Sequence, residues 1–310
     1  MESVRRYTWV GVLAGMVLGL SWGLPGQVSH GFLQGMLMTL LFFSCLELRQ
    51  RQIIRDAGDD WARNASVVLV ISLASPLMLL PFRSHFAQAT YTGLILSGSM
   101  SAGLGVIFLA DLLGGSPSRA LVLAVTSSVL APISVPTVVY AFAARSVSID
   151  FLAMSGRTAF IVFVPLVAAV LLGPTAAGGR LLRLKGPASL LIFFTMIVTL
   201  VSSVRQLVLS SIRESLMLIS VVALLSVICA GLGMLSGKNP RQRMTFAIAA
   251  SYRNFTLATV LALTLFDEEV ALPCVIYVLV GNLMVVALQL FYGARGSQEF
   301  SPSTSNPETS

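Results

Sequence analysis

Residues 241–266, RQRMTFAIAASYRNFTLATVLALTLF, are apolar enough to cross a lipid bilayer, yet four polar or charged residues interrupt the middle of the stretch. These are Ser251, Tyr252, Arg253 and Asn254. A membrane-spanning helix needs about 20 mostly apolar residues at about 1.5 Å each. Arg253 therefore lies about 18 Å into the span, close to the midplane. An arginine there costs at least about 2.5 kcal/mol unless it faces a cavity, a partner or a ligand, so the stretch predicts a functional site.

The composition of the whole chain is typical of an integral membrane protein. Of its 310 residues, 56% are hydrophobic and only 11% are charged, whereas soluble domains carry about 25% charged residues. The net charge of +7 would suggest a nucleic-acid partner in a soluble chain. Here the basic residues lie in short loops between apolar runs, where membrane topology explains them. We therefore predict a lipid bilayer, and no nucleic acid, as the partner.

Ten apolar segments, separated by glycine, proline and charged residues, predict an all-α protein with ten transmembrane helices. They cover residues 8–24, 31–48, 64–82, 91–113, 117–143, 150–173, 188–207, 213–235, 242–266 and 270–292. Fourteen of the 20 Lys and Arg residues lie on the side of the N-terminus and five on the other. The positive-inside rule then places both termini in the cytoplasm of a protein of the inner or plasma membrane. The Ser/Pro-rich tail, 295–310, is predicted to be disordered.

Ten helices also divide into two halves of five, 1–145 and 146–294. Because five is odd, two similar halves would be inverted relative to each other, as in many secondary transporters. The interruptions fall at matching places. The fourth span contains SGSMSAGLG at 97–105, and the ninth span contains the polar run at 251–254. A proline-containing span follows each of them.

Glycine and serine within a span can unwind the helix, because hydroxyls, water or ligand satisfy the freed backbone groups. Two broken helices would present half-helix N-termini, which favour an anion. The alternative is that 97–105 is a seam of small residues between packed helices. On the first interpretation, an anion binds at the two breaks. The predicted substrate-binding residues are Ser97, Ser99, Ser101, Gly103, Tyr252, Arg253 and Asn254.

Four stretches carry a resemblance to a known family. They are FFSCLEL at 42–48, GLILSGSMSAGLGVIFLAD at 93–111, LVLAVTSSVLAPISVP at 121–136 and RNFTLATVLALTLFDEEVALP at 253–273. In these the chain resembles the bile acid:sodium symporter family. The resemblance implies a ten-helix inverted repeat with a panel domain and a core domain, in which discontinuous helices four and nine cross. It also implies sodium-coupled uptake of organic anions.

The chain departs from the family pattern where that pattern binds sodium. The resemblance places the family's ninth-span Glu on Ala249, its Gly on Ser251 and its Gln on Arg253. The Glu and Gln are sodium ligands in the family, and here they are a methyl group and a cation. The family's hydroxyl pair in the fifth span falls on Ser127 and Ser128, so sodium stays a candidate coupling ion at sites that look degraded.

Buried sodium needs several oxygen ligands, preferably including a carboxylate. We hypothesise that the Arg253 guanidinium replaces one sodium ion, either by neutralising carbonyls of the unwound ninth helix or by binding the anionic head of the substrate. The alternative is that Arg253 snorkels to an aqueous vestibule. Asp111, at the end of the fourth span, is a candidate for proton coupling or a solvated residue at a helix end. No resident cofactor is predicted.

An intramembrane enzyme and a membrane sensor are the two alternatives to a transporter. An intramembrane enzyme would need a base at membrane depth, but His30 and His85 lie in loops or at span ends. No HExxH motif or metal-ligand spacing occurs, so we predict that the protein is not an enzyme. A membrane sensor that binds a small organic anion without net transport stays open. Substrate identity, coupling ion, direction and oligomeric state are not determined by the sequence.

Overall fold

The computed structural model describes residues 8–21, 29–46, 60–103, 105–143, 150–210 and 212–296, and these residues form helices and no β-strand. We label the helices α1 to α10, with α4 and α9 each divided into two half-helices. They are α1 (Thr8–Ser21), α2 (His30–Cys45), α3 (Trp61–Ser84), α4a (Gln88–Ser99), α4b (Gly105–Leu112), α5 (Pro117–Ala143), α6 (Phe151–Leu172), α7 (Ala176–Ser203), α8 (Ile212–Ser236), α9a (Pro240–Ser251), α9b (Phe255–Leu265) and α10 (Glu268–Gly296). A short helix, Arg205–Ser210, precedes α8.

Each of the ten predicted segments overlaps one helix or one pair of half-helices. Within the described residues, α3, α5, α6, α7 and α8 are long and apolar enough to cross a membrane. The chain is therefore a multi-pass membrane protein. The N-terminal residues 1–7 and the predicted tail from residue 297 onward lie outside the described residues, while α10 extends to Gly296.

Helix α7 begins at Ala176, well before the predicted start at residue 188. The preceding Thr175 caps it, because its hydroxyl accepts a hydrogen bond from the Gly178 N–H at 3.1 Å. Glycine, three basic residues and Pro187 made this stretch look like a loop in the sequence. Most of its side chains are exposed, so the first turns of α7 need no apolar face.

Helix α3 changes its winding along its length. Residues Val70–Ala74 form a π-helical turn, and the N–H of Ser75 donates to the carbonyl of Val70, five residues earlier. In the same register the Ile71 carbonyl would accept from residue 76. That residue is Pro76, which has no N–H. The Ile71 carbonyl is consequently left without a partner in its own helix, inside the protein.

The helices pack as two groups. In the first, α1 packs against α7, and α2 packs against α6 and α7. Gly15 and Gly19 form a GxxxG spacing on α1, and a Cβ added to Gly19 would lie 2.8 Å from the Val201 Cβ, so the backbones of α1 and α7 approach closely. The second group contains α3, both halves of α4 and α9, α5, α8 and α10. Contacts of α6 with α5, and of α2 with α9b, join the groups.

A polar cluster joins the N-terminal ends of three helices of the second group. Asp60, just before α3, accepts hydrogen bonds from Lys238 Nζ at 2.9 Å and Gln242 Nε2 at 3.0 Å. Arg119 Nη1, on α5, lies 3.6 Å from the same carboxylate. The hydrogen bond from Lys238, then that from Gln242, holds the pKa of Asp60 below its ordinary value. The carboxylate is therefore ionised at neutral pH and ties α3 to α5 and α9a.

Candidate functional site

Helices α4 and α9 are both broken where the sequence predicted, and the two breaks are in contact. Ala102 and Arg253 form an isolated antiparallel β-bridge. On one side of it the Asn254 N–H donates to the Ser101 carbonyl at 2.8 Å, and on the other the Gly103 N–H donates to the Tyr252 carbonyl at 2.9 Å. The stretch 97–105 is thus not a seam on a continuous helix. Each break satisfies the backbone groups of the other.

The residue types at the breaks fit this close approach. A Cβ on Gly103 would lie 2.5 Å from the Arg253 carbonyl oxygen. Only glycine therefore allows the two broken segments to approach this closely. Asn254 caps α9b, because its Oδ1 accepts from the Leu257 N–H at 3.2 Å. The Ser127 hydroxyl, on α5, accepts from the Ala102 N–H at 3.1 Å. The unwound backbone is therefore held by side chains from outside the breaks as well as by its partner.

The side chain of Arg253 is buried, with only 2% of its surface exposed. Its Nη1 donates to the Ile71 carbonyl at 2.7 Å and to the Met100 carbonyl at 3.5 Å. Its Nη2 lies 3.7 Å from the Cys229 Sγ, on α8. In the described part of the chain, Arg253 pairs with no carboxylate. The guanidinium therefore neutralises backbone carbonyl dipoles and does not reach a surface.

These carbonyls are not those that the sequence suggested. The sequence left three partners open for Arg253: the carbonyls of the unwound ninth helix, the anionic head of a substrate and an aqueous vestibule. The acceptors in the structure belong to the π-turn of α3 and to the fourth-span break. The Ile71 carbonyl is available because the π-turn and Pro76 remove its helical partner. Nothing in the sequence marks Ile71, Met100 and Cys229 as partners of Arg253. Pro76, within an apolar run, is the one residue that suggests an unpaired carbonyl in this helix.

The predicted hydroxyls occupy two kinds of position. Ser128 Oγ donates to Ser101 Oγ at 3.2 Å and so links α5 to the break. The hydroxyls of three others donate to carbonyls of their own helices. These bonds are Ser97 to Gly93 and Ser251 to Ala247, each at 2.8 Å, and Ser99 to Leu96 at 2.9 Å. All three side chains are buried, and a hydroxyl that donates its proton can also accept a hydrogen bond.

The ring of Tyr252 lies over the start of α4b. A Cβ on Gly105 would lie 2.9 Å from the Tyr252 Cε1 and 3.3 Å from its hydroxyl oxygen. The ring also meets Phe255 edge-on at 5.2 Å between centroids, and Phe255 stacks on Tyr277 at 5.4 Å. The Tyr252 side chain is half-buried, and its ring covers the first turn of α4b.

The surroundings of Arg253 offer few oxygen atoms that could coordinate a sodium ion. The two carbonyls that could bind it already accept from the guanidinium, and Ala249, which is buried on α9a, contributes a methyl group. No group of three or more His, Cys, Asp or Glu side chains in the described residues could hold a metal ion. Asp111 is exposed at the end of α4b. Ser127 and Ser128 thus supply hydroxyl oxygens without a buried carboxylate beside them.

These features define a class of protein: a multi-pass membrane protein with two broken helices that meet inside it. A model of the Sodium Bile acid symporter family matches residues 65–234, more than half of the chain. The protein belongs to the Sodium Bile acid symporter family, whose members are transporters. The matched region includes the fourth-span break and ends before Arg253. No curated protein matches the chain.

Proposed function

We propose that the protein is a secondary-active transporter of a small organic anion that works by alternating access. The observation that carries the proposal is the pair of breaks joined at Ala102 and Arg253. Broken helices that meet within a transporter place half-helix ends where a substrate can reach them. Family membership supports transport as the activity.

We further propose ten spans arranged as a 5+5 inverted repeat, with halves at 1–145 and 146–294. The packing supports this division, because the first group contains the first and second helices of each half. We take this group as the panel and the remaining helices as the core that carries the breaks. Both termini are proposed to lie in the cytoplasm of the inner or plasma membrane, as the basic residues predict.

The proposed anion site lies at the first turn of α4b and of α9b. Each is a half-helix N-terminus that begins at a break, and its partial positive charge favours an anion. Tyr252 and Asn254 would contact the substrate from α9, and Gly103 and Ser101 from α4. Ser97 and Ser99 stay candidates one or two turns away, although their hydroxyl protons are used within α4a.

We propose that transport is independent of sodium because Arg253 provides a tethered cation. Its guanidinium donates hydrogen bonds to the carbonyl oxygens of Ile71 and Met100, and carbonyl oxygens are also ligands that a sodium ion would coordinate. Arginine stays protonated at every physiological pH, so this charge is permanent. Ala249 removes the carboxylate that would otherwise attract a second cation.

A thermal-shift experiment on purified protein tests the proposal. Organic anions that bind the folded protein raise its melting temperature by mass action. We expect the same shift in sodium and in choline buffer for the natural chain. In Arg253→Gln the two carbonyls become free, so sodium should stabilise this variant, and Arg253→Lys serves as the charge-matched control. If the Gln variant keeps an unchanged anion affinity and gains no response to sodium, the tethered-cation idea is wrong.

Flux into proteoliposomes separates a carrier from a sensor. Saturable, protein-dependent accumulation of an anion that shifted the melting temperature is the result expected of a transporter. Binding without any flux would contradict the proposed function and favour a receptor that derives from a transporter.

A further inference from the structure

The charge balance of the core carries an inference that rests on the proposed function and extends it to direction and driving force. We propose that the protein is a potential-driven exporter. Its cycle moves only the charge of the organic anion, and the inside-negative membrane potential drives that anion out of the cell. Arg253, which stays attached to the protein, gives the empty carrier its positive charge.

The first step of the argument is that the Arg253 charge never leaves the protein. A bound sodium ion is released on the far side and adds its charge to the transported total. The guanidinium is covalently attached and is hydrogen-bonded to α3 and to the fourth-span break, which belong to the same packed group. It therefore travels out and back with the core, and its net contribution to each cycle is zero.

The second step concerns what else could carry charge. Arg253 is the sole buried residue with a formal charge at neutral pH among the described parts of the chain. No buried carboxylate there accompanies it, whereas a buried coupled cation is bound best by oxygen ligands that include one. The buried part of a core that binds a monovalent anion is consequently neutral, and the buried part of an empty core carries one positive charge.

The third step gives the size of the effect. Moving one elementary charge through 100 mV changes the free energy by about 2.3 kcal/mol, which is about 45-fold in a concentration ratio. A cycle that carries one negative charge therefore supports an outward gradient of up to about 45-fold per 100 mV. A sodium-coupled cycle would instead favour uptake.

The charges of the loaded and the empty core also determine which step of the transport cycle responds to the membrane potential. The loaded core is neutral and insensitive to voltage, whereas the empty core is positive and is drawn inward. Net efflux needs the empty core to return, so an inside-negative potential accelerates it. Exchange of internal for external anion uses the loaded core in both directions, so it should not respond to the potential.

The test uses the full-length protein in sodium-free proteoliposomes, with a potassium diffusion potential of about −100 mV set by valinomycin. The probes are taurocholate, pyruvate and benzenesulfonate, three monovalent anions of different size. Net efflux of a transported probe should rise by up to about sevenfold. This is the square root of about 45-fold, because a symmetric barrier lies halfway across the field and the rate feels half of the free-energy change. Equilibrium exchange of the same probe should be unchanged.

Three variants isolate the guanidinium. In Arg253→Gln the loaded core becomes negative, so exchange should slow about threefold at the same potential if the full charge crosses the field. Arg253→Lys retains the charge, so its exchange should stay insensitive to the potential. Arg183→Gln removes an exposed charge from α7 and should behave like the natural chain. Because the comparison is a ratio within each variant, a reduced amount of folded protein does not alter it.

Several outcomes would overturn the inference while leaving transport intact. One is exchange in the natural chain that depends on the potential. Another is uptake that is driven by a sodium gradient. A third is uptake that is driven by an acidic exterior and lost in Asp111→Asn, because a proton on Asp111 would cancel the charge of the anion. If no probe shows protein-dependent flux in either mode, the proposed function itself is contradicted.

Discussion

Replacing Gly103 by alanine is a direct test of the contact between the two breaks. The added Cβ would lie 2.5 Å from the Arg253 carbonyl oxygen, whereas carbon and oxygen atoms normally approach to about 3.3 Å. The backbones must therefore separate by about 0.8 Å. Because the clash is with backbone, no flexible side chain can relieve it.

That separation would break the hydrogen bonds that join the breaks. The bonds of 2.8 and 2.9 Å on either side of the bridge would lengthen to about 3.6 Å or more, beyond hydrogen-bonding distance. Two lost backbone bonds cost about 0.5–1.5 kcal/mol each, and overpacking costs about 1–3 kcal/mol. We expect Gly103→Ala to destabilise the protein by about 2–6 kcal/mol and to abolish transport.

The assay is the melting temperature in detergent together with transport in proteoliposomes. A loss of at least about 4 °C is expected for Gly103→Ala. Gly156→Ala is the matched control, because a Cβ at this exposed position on α6 would meet nothing within 4 Å. Helix propensity predicts that this control is unchanged or slightly more stable. Equal melting temperatures and equal transport for the two variants would refute the reasoning about the crossing.

Three further predictions concern electrostatics. The pKa of Asp60 is lowered chiefly by the hydrogen bond from Lys238, so its stabilisation is present above about pH 4 and is lost as the pH falls through the lower, folded-state pKa. Asp60→Asn should therefore melt at a lower temperature at pH 7, and its melting temperature should fall less steeply than that of the natural chain as the pH is lowered. An equally steep fall in both proteins would contradict this. Arg157 Nη1, on α6, donates to the Thr264 carbonyl at 2.9 Å. Arg157→Met should cost about 1–2 kcal/mol of stability, measured against Arg157→Lys. Exchanging sodium for choline should leave the melting temperature of the natural chain unchanged, because Arg253 already occupies the carbonyl oxygens of Ile71 and Met100. A melting temperature that rises with sodium would contradict the role of Arg253 as a tethered cation.

The sequence by itself determined the class of protein and the places where its helices break. Hydropathy over about 20 residues is a local property, so apolar runs predict spans without knowledge of their neighbours. The Gly/Ser run at 97–105 and the polar run at 251–254 likewise predict breaks, because neither suits an unbroken helix in lipid. The start of α7 was missed because an exposed helix can tolerate glycine and charge at its surface.

Only the tertiary structure decided what the site residues contact. Arg253 could have met its own helix, a ligand or water, and the choice depended on a carbonyl that the π-turn of α3 frees 182 positions away in the chain. Backbone acceptors are the same at every residue, so the sequence does not show which of them are unpaired. The position of the Tyr252 ring over Gly105 also follows from the contact between two distant segments. Long-range packing fixes such contacts, and local composition does not encode them.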